Sequence, residues 1–185
     1  MESTTKEKFR TVDLTSTDFT IPENLPGDTA CRECLYWLSP EFPPPMEDSE
    51  RKKEWLAAVA AEMGSVGKVA YFNDKAVAWV HYSLPKYLRK EAYAPHKPDP
   101  EALFICCLVV SEEYQGRGTG EKLLKAVVRE AEKRGIPAVE TVARKGSANN
   151  PSGPVELYVR GGFSVKQDHS DFPLMRYSVQ KSSAI

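Results

Sequence analysis

Apolar and polar positions follow distinct periods along this chain. From Asp48 the period is helical: Trp55, Leu56, Val59, Ala60 and Met63 share one face, Asp48 or Ser49 is placed to cap the segment, and Gly64 to stop it. Lys68 to Phe72 and Lys75 to Tyr82 are rich in Val, Ala and aromatics and flank Asn73-Asp74, a pair that tolerates positive φ. They predict two antiparallel strands joined by a hairpin. Leu103 to Val110 has no polar alternation and is short for a helix, so it predicts a central strand buried on both faces, the spine of a sheet. From Glu121 to Arg134 the helical period returns, with Leu123, Leu124, Val127, Val128 and Ala131 as the apolar stripe and Gly135 and Pro137 after it. Ala138 to Ala143 predicts a strand, Pro154 to Arg160 a short helix ended by Gly161-Gly162, and Phe163 to Lys166 and Leu174 to Val179 two closing strands. The order is mixed α/β, with a strand, loop, helix, strand unit at its centre. Prolines cluster at Pro43 to Pro45 and again at Pro95, Pro98 and Pro100, which implies two irregular loops.

Composition narrows the class. The chain has 185 residues, with 25 Lys plus Arg against 26 Asp plus Glu. It is long enough to bury roughly 70% of its unfolded surface without disulfides or metal, and one domain over residues 1–185 is expected. The balanced charge and the absence of a basic stripe argue against nucleic acid as a partner. The longest apolar run, Ala102 to Val110, is roughly half of what a membrane-spanning helix requires. The N-terminal segment has neither the apolar core of a secretory signal nor the composition of a transit peptide. A cytosolic protein is the expectation, and its four cysteines are then read as thiols.

Chemistry concentrates where the buried strand meets the long helix. Gln115-Gly116-Arg117-Gly118-Thr119-Gly120 places backbone N–H groups with little side-chain cover at the positive end of a helix. Such a terminus suits a pyrophosphate, and Arg117 adds charge beside it. A tight strand-to-helix turn without a ligand is the plainer alternative. The loop lacks the Gly-Lys-Ser/Thr ending of a nucleotide P-loop, and its spacing is not that of the dinucleotide fingerprint.

Gln-x-x-Gly-x-Gly after a strand reading Leu-x-Val resembles the pyrophosphate loop of the GNAT superfamily of acetyl-CoA-dependent N-acetyltransferases. Leu157-Tyr158-Val159-Arg160-Gly161-Gly162-Phe163 is similar to that family's Leu-Tyr-x-x-x-Gly-Phe helix-to-strand segment. The resemblance covers residues 101 to 180 and is weak before about residue 65. It implies a mixed, mainly antiparallel sheet flanked by helices, a coenzyme-binding core over 65–180 and an acceptor-side cover over 1–64. It also implies acetyl-CoA as cosubstrate and an amine as acceptor. Leu108, Val109 and Val110 then match the strand that pairs with the pantetheine amides, and Gln115, Gly116, Arg117, Gly118, Thr119 and Gly120 the pyrophosphate cradle. Asn149 or Asn150 stands near a coenzyme contact. Tyr158 matches the tyrosine that protonates the leaving thiolate.

The reaction has its own requirements. An ammonium must lose a proton, the tetrahedral oxyanion must be stabilised, and a thiolate must leave. The N–H of Val109 or Val110 is a candidate for the oxyanion. No carboxylate interrupts Leu103 to Val110, so Glu140 in the next strand is the first candidate base, with His81 and His169 behind it and a water-mediated route alongside. Each is also an ordinary structural residue in such positions. Cys31-Arg32-Glu33-Cys34 reads as a pair of reduced thiols, a dithiol or partial metal site, or part of an acceptor wall with Tyr36, Trp37 and Phe42. A silent acyl-CoA-binding module and a thiol protein are the rival functional classes. A homodimer is the commonest assembly for such a chain.

Overall fold

The computed structural model describes residues 8–15, 34–37, 49–146 and 151–180. Their order is β1 (Phe9–Leu14), α1 (Ser49–Met63), β2 (Gly67–Phe72), β3 (Lys75–Ser83), β4 (Leu103–Val110), α2 (Thr119–Lys133), β5 (Ala138–Val142), α3 (Val155–Arg160), β6 (Ser164–Gln167) and β7 (Leu174–Ser178). The strands form one seven-stranded sheet in the order β1-β2-β3-β4-β5-β7-β6. Every neighbouring pair is antiparallel except β4 with β5. The expected mixed sheet and its helices are therefore present, with β4 at the centre.

The hairpin between β2 and β3 turns at Asn73, whose φ of 52° is the positive value that an asparagine side chain tolerates. In α1, Leu56, Val59, Ala60 and Met63 are buried as the period predicts, and the Gly64 N–H closes the last turn on the Ala60 carbonyl at 2.7 Å. In α2, Leu123, Leu124, Val127, Val128 and Ala131 are buried in the same core as Val80, Leu103 and Ile105 of the sheet. Each such side chain contributes about 1.5–3 kcal/mol by leaving water.

β1 has no counterpart among the expected elements. It pairs along its whole length with β2, Phe9 opposite Phe72 and Leu14 opposite Gly67. As an edge strand it keeps Arg10 and Asp13 among its residues, which hides the period-two pattern. No helix among the described residues is long and apolar enough to cross a membrane.

The parallel pairing of β4 with β5 is what makes room for a site. Their register contains only Leu103 with Val139 and Phe104 with Glu140. Beyond it the strands separate. Thr141 Oγ1 reaches the Ile105 carbonyl at 2.9 Å, and the segment from Pro151 to Pro154 lies against both strands further on. The Leu108 N–H donates to the Pro151 carbonyl at 2.8 Å, and the Arg144 N–H to the Gly153 carbonyl at 3.0 Å.

Candidate functional site

A cleft of about 1090 Å³ runs from the end of β4 along the start of α2 to α3. Leu108, Val109 and Val110 form one wall, and Gln115, Gly116, Gly118, Thr119 and Gly120 form the floor. The pleat decides which amides look into it. Successive N–H groups of a strand point to opposite sides; Leu108 N–H meets Pro151, while Ser111 N–H meets the Val77 carbonyl of β3 at 2.9 Å. Leu108 and Val110 therefore turn their amides toward the gap, and Val109 turns its amide into β3. Val109 is thus corrected as an oxyanion donor: only its side chain reaches the cleft.

The glycines of the loop are required by conformation more than by space. Gly116 and Gly118 have φ of 68° and 76°, and a Cβ at either position would meet nothing within 4 Å. Gly118 caps α2 in this left-handed conformation without a side-chain acceptor, so the first amides of the helix have no capping side chain. Gly120 is a packing residue, since a Cβ there would stand 3.3 Å from Leu157 of α3. Thr119 Oγ1 donates to the Tyr114 carbonyl at 3.0 Å, and Gln115 Nε2 to the Val110 carbonyl at 2.9 Å, which ties the loop to the end of β4. Arg117 is not in the cleft wall; its guanidinium lies 5.5 Å over the ring of Tyr114, which is.

Free helix-terminal amides, backbone glycines and Arg144 and Arg160 in the wall suit a diphosphate ester. Among the described residues of that wall the one acidic side chain, Glu121, is held by Arg160 Nε at 2.6 Å. Tyr114, Arg144, Pro151 and Arg160 escaped the sequence reading because only the fold gathers them.

Tyr158 is fully buried on α3 behind this wall, with its hydroxyl donating to the Ser152 carbonyl at 2.5 Å. Burial raises its phenol well above the ordinary value. Asn149, Asn150, Cys31 and Phe42 lie outside the described residues.

Glu140 requires correction. It is completely buried, and its Oε1 receives Lys166 Nζ at 2.7 Å and Arg176 Nη1 at 2.5 Å. Its Oε2 accepts the Asp99 N–H at 2.9 Å. Arg176 stands opposite Glu140 in the β5–β7 register, so this carboxylate is committed to holding strands together and is outside the cleft wall. His81 is equally unsuited to act as a base. Its ring lies between Trp79, parallel at 6.4 Å, and Trp55, edge-on at 5.8 Å, and burial pushes its pKa down to about 3. His169 Nδ1 accepts the N–H groups of Asp171 at 3.2 Å and Phe172 at 3.1 Å, which occupies its basic lone pair.

A second cavity, of about 390 Å³, contains Cys34, Tyr36, Trp37 and His169 in its wall and shares Pro151 with the cleft. Cys34 is half-buried there, and its Sγ accepts the Tyr36 N–H at 3.5 Å. Cys106 and Cys107 are buried in β4, and burial raises the Cys106 thiol.

Comparison with known proteins agrees with this arrangement. The model of the Acetyltransferase (GNAT) family matches residues 31–163, and the chain belongs to that family. The acetyltransferase of GNAT family from Streptococcus pneumoniae superposes with a TM-score of 0.57 at 15% identity, covering 94% of this chain and 100% of that one. The ribosomal-protein-S18-alanine N-acetyltransferase from Escherichia coli gives 0.53 at 16% identity, over 95% and 97%. The GNAT family N-acetyltransferase YhbS from Escherichia coli, solved in complex with CoA, gives 0.53 at 15% identity, over 97% and 86%. At these identities the likeness is one of fold.

Proposed function

We propose that this chain is an N-acetyltransferase that moves acetyl from acetyl-CoA to an amine by direct attack. The separation of β4 from β5 after Phe104 carries the reading, because it turns the amides of Leu108 and Val110 toward a cleft that ends on the free amides of α2. The pyrophosphate takes Gly116 to Gly120, with Arg117, Arg144 and Arg160 near enough to supply charge. The pantetheine runs along Leu108 to Val110. The Val110 N–H serves the oxyanion, since it faces the gap and Val109 does not.

Attack forms the N–C bond and expels the thiolate. Tyr158 supplies the proton that the thiolate needs; its raised pKa keeps it protonated across the neutral range. Its present acceptor, the Ser152 carbonyl, belongs to the segment whose neighbours Pro151 and Gly153 line the cleft. The phenol thus stands one residue behind the reaction path. Residues 34–37 and α1 serve as cover on the acceptor side.

Calorimetry with CoA and thiol release in the presence of an amine panel test this together. Binding with turnover that falls in Tyr158→Phe is the expected result. Tight binding with no turnover for any amine would mean a silent acyl-CoA-binding module instead.

A further inference from the structure

The second cavity is aromatic and holds no carboxylate among its described lining residues. Tyr36, Trp37, Tyr93, His96, His169 and Phe172 supply its walls. These rings are anchored. Tyr36 and Trp37 meet edge to face at 5.2 Å, Trp37 leans on Phe104 at 5.4 Å, and Tyr36 Oη donates to the Ala92 carbonyl at 3.3 Å.

The two histidines share one tautomer, fixed in each by backbone groups, but use opposite nitrogens to bind them. His96 Nε2 lies 2.6 Å from the Phe172 carbonyl. A carbonyl only accepts, so Nε2 carries the proton and Nδ1 of the neutral ring carries a lone pair. That Nδ1 has no hydrogen-bond partner among the described residues. In His169 the bonded nitrogen is the other one: its Nδ1 accepts two N–H groups, its proton likewise resides on Nε2, and that N–H is the one left over. The rings stand 5.7 Å apart, edge to face. His96 thus keeps an acceptor and His169 a donor outside these bonds, and both residues line the aromatic chamber that shares Pro151 with the coenzyme cleft.

Resting on the acetyltransferase reading, we propose that this chamber is the acceptor site, that it takes a small primary amine on a flat aromatic group, and that His96 Nδ1 removes the amine proton. Ring faces hold both the aromatic group and the cationic ammonium. Polyamines carry several cations that require carboxylates and sugars carry hydroxyls that require polar partners, and the described residues of this wall include no carboxylate. The volume lies in the range of small-molecule pockets. In the reaction the ammonium loses one proton to His96 and the nitrogen attacks the thioester carbon. The C–S bond breaks, the second nitrogen proton passes to the sulfur by way of Tyr158, and His96 returns its own to solvent.

The test compares initial rates at fixed acetyl-CoA with phenethylamine and tryptamine against spermidine, glucosamine and short peptides. The aromatic amines are expected to exceed the others by about tenfold or more in kcat/KM, the value of one well-placed ring face. Tyr36→Ala should raise their KM by a similar factor, with CoA affinity by calorimetry unchanged. His96→Gln keeps a donor for Phe172 and loses the ring acceptor; kcat should fall about 10²-fold, and added imidazole should restore part of the rate of His96→Ala. Turnover confined to peptides or polyamines, or an unmoved KM in Tyr36→Ala, overturns the assignment and leaves the acetyltransferase reading standing. A full rate in His96→Gln removes His96 as the base. Coenzyme binding without turnover of any acceptor defeats both readings.

Discussion

The amide of Leu108 donates to the carbonyl of Pro151 at 2.8 Å, where a strand neighbour would otherwise stand. This bond closes the gap between β4 and β5 with an irregular segment instead of a ladder, and it occupies one of the two amides that face the cleft. Binding of acetyl-CoA should exchange that partner. In amide NMR spectra the Leu108 and Val110 resonances are expected to move with acetyl-CoA, and Leu108 to move differently with CoA lacking the acetyl group. An unresponsive Leu108 would show that the thioester lies elsewhere.

Tyr158→Phe separates chemistry from packing. Removing one hydroxyl that bonds a buried carbonyl costs about 1 kcal/mol of stability, read from the denaturant midpoint, whereas losing a general acid lowers kcat by about 10²-fold or more. In the wild type, no alkaline decline in kcat should appear at the ordinary phenol value of 10.0, because burial holds Tyr158 above it. A decline there that disappears in the variant would contradict the raised pKa.

For Glu140 the expectation is the opposite split. Its carboxylate joins Arg176, Lys166 and the Asp99 amide. Glu140→Gln should cost about 2–3 kcal/mol, below the fully buried range because both cations are partly exposed. The kcat of the folded variant should be unchanged. A large loss of kcat at intact stability would return Glu140 to the chemistry.

His81 makes stability depend on pH. It is neutral in the fold with a pKa of about 3 and returns to the ordinary imidazole value of 6.5 when unfolded. The unfolded chain therefore binds the proton more readily. The contribution is fully present above pH 6.5 and is lost toward pH 3, at up to about 1.4 kcal/mol per pH unit. His81→Phe, which keeps a ring between Trp55 and Trp79, should flatten that slope in urea melts at about pH 7 and about pH 5.

Gly67 opens β2 where a Cβ would lie 2.3 Å from the Val80 carbonyl oxygen. Backbone of β3 on one side and the buried Leu14 side chain, 3.1 Å away, on the other leave little to give. Gly67→Ala should lower stability by about 1–3 kcal/mol, seen as a drop in Tm, with the coenzyme cleft untouched.

The strand, loop and helix from Leu103 to Lys133 were legible because each has a clean period and the glycine loop lies between them. β1 was not, because an edge strand with one side open need not alternate. The glycine loop ahead of α2 could be placed from sequence, but not the direction of the Val109 amide, which depends on the pleat and on the partner that Leu108 finds. Glu140 looked available because Arg176 and Asp99 are distant in the chain and meet it only across the sheet. His96 escaped notice for the same reason: the Phe172 carbonyl that fixes its tautomer is 76 residues away.

The sheet ends in β1 on one side and the four-residue β6 on the other. β6 offers few unpaired backbone groups, and its Lys166 leans inward to Glu140. Short borders of this kind give another molecule little template on which to extend a ladder. The protein should accordingly tolerate the high concentrations that titrations with weakly bound amines demand, without growing into fibrous aggregates.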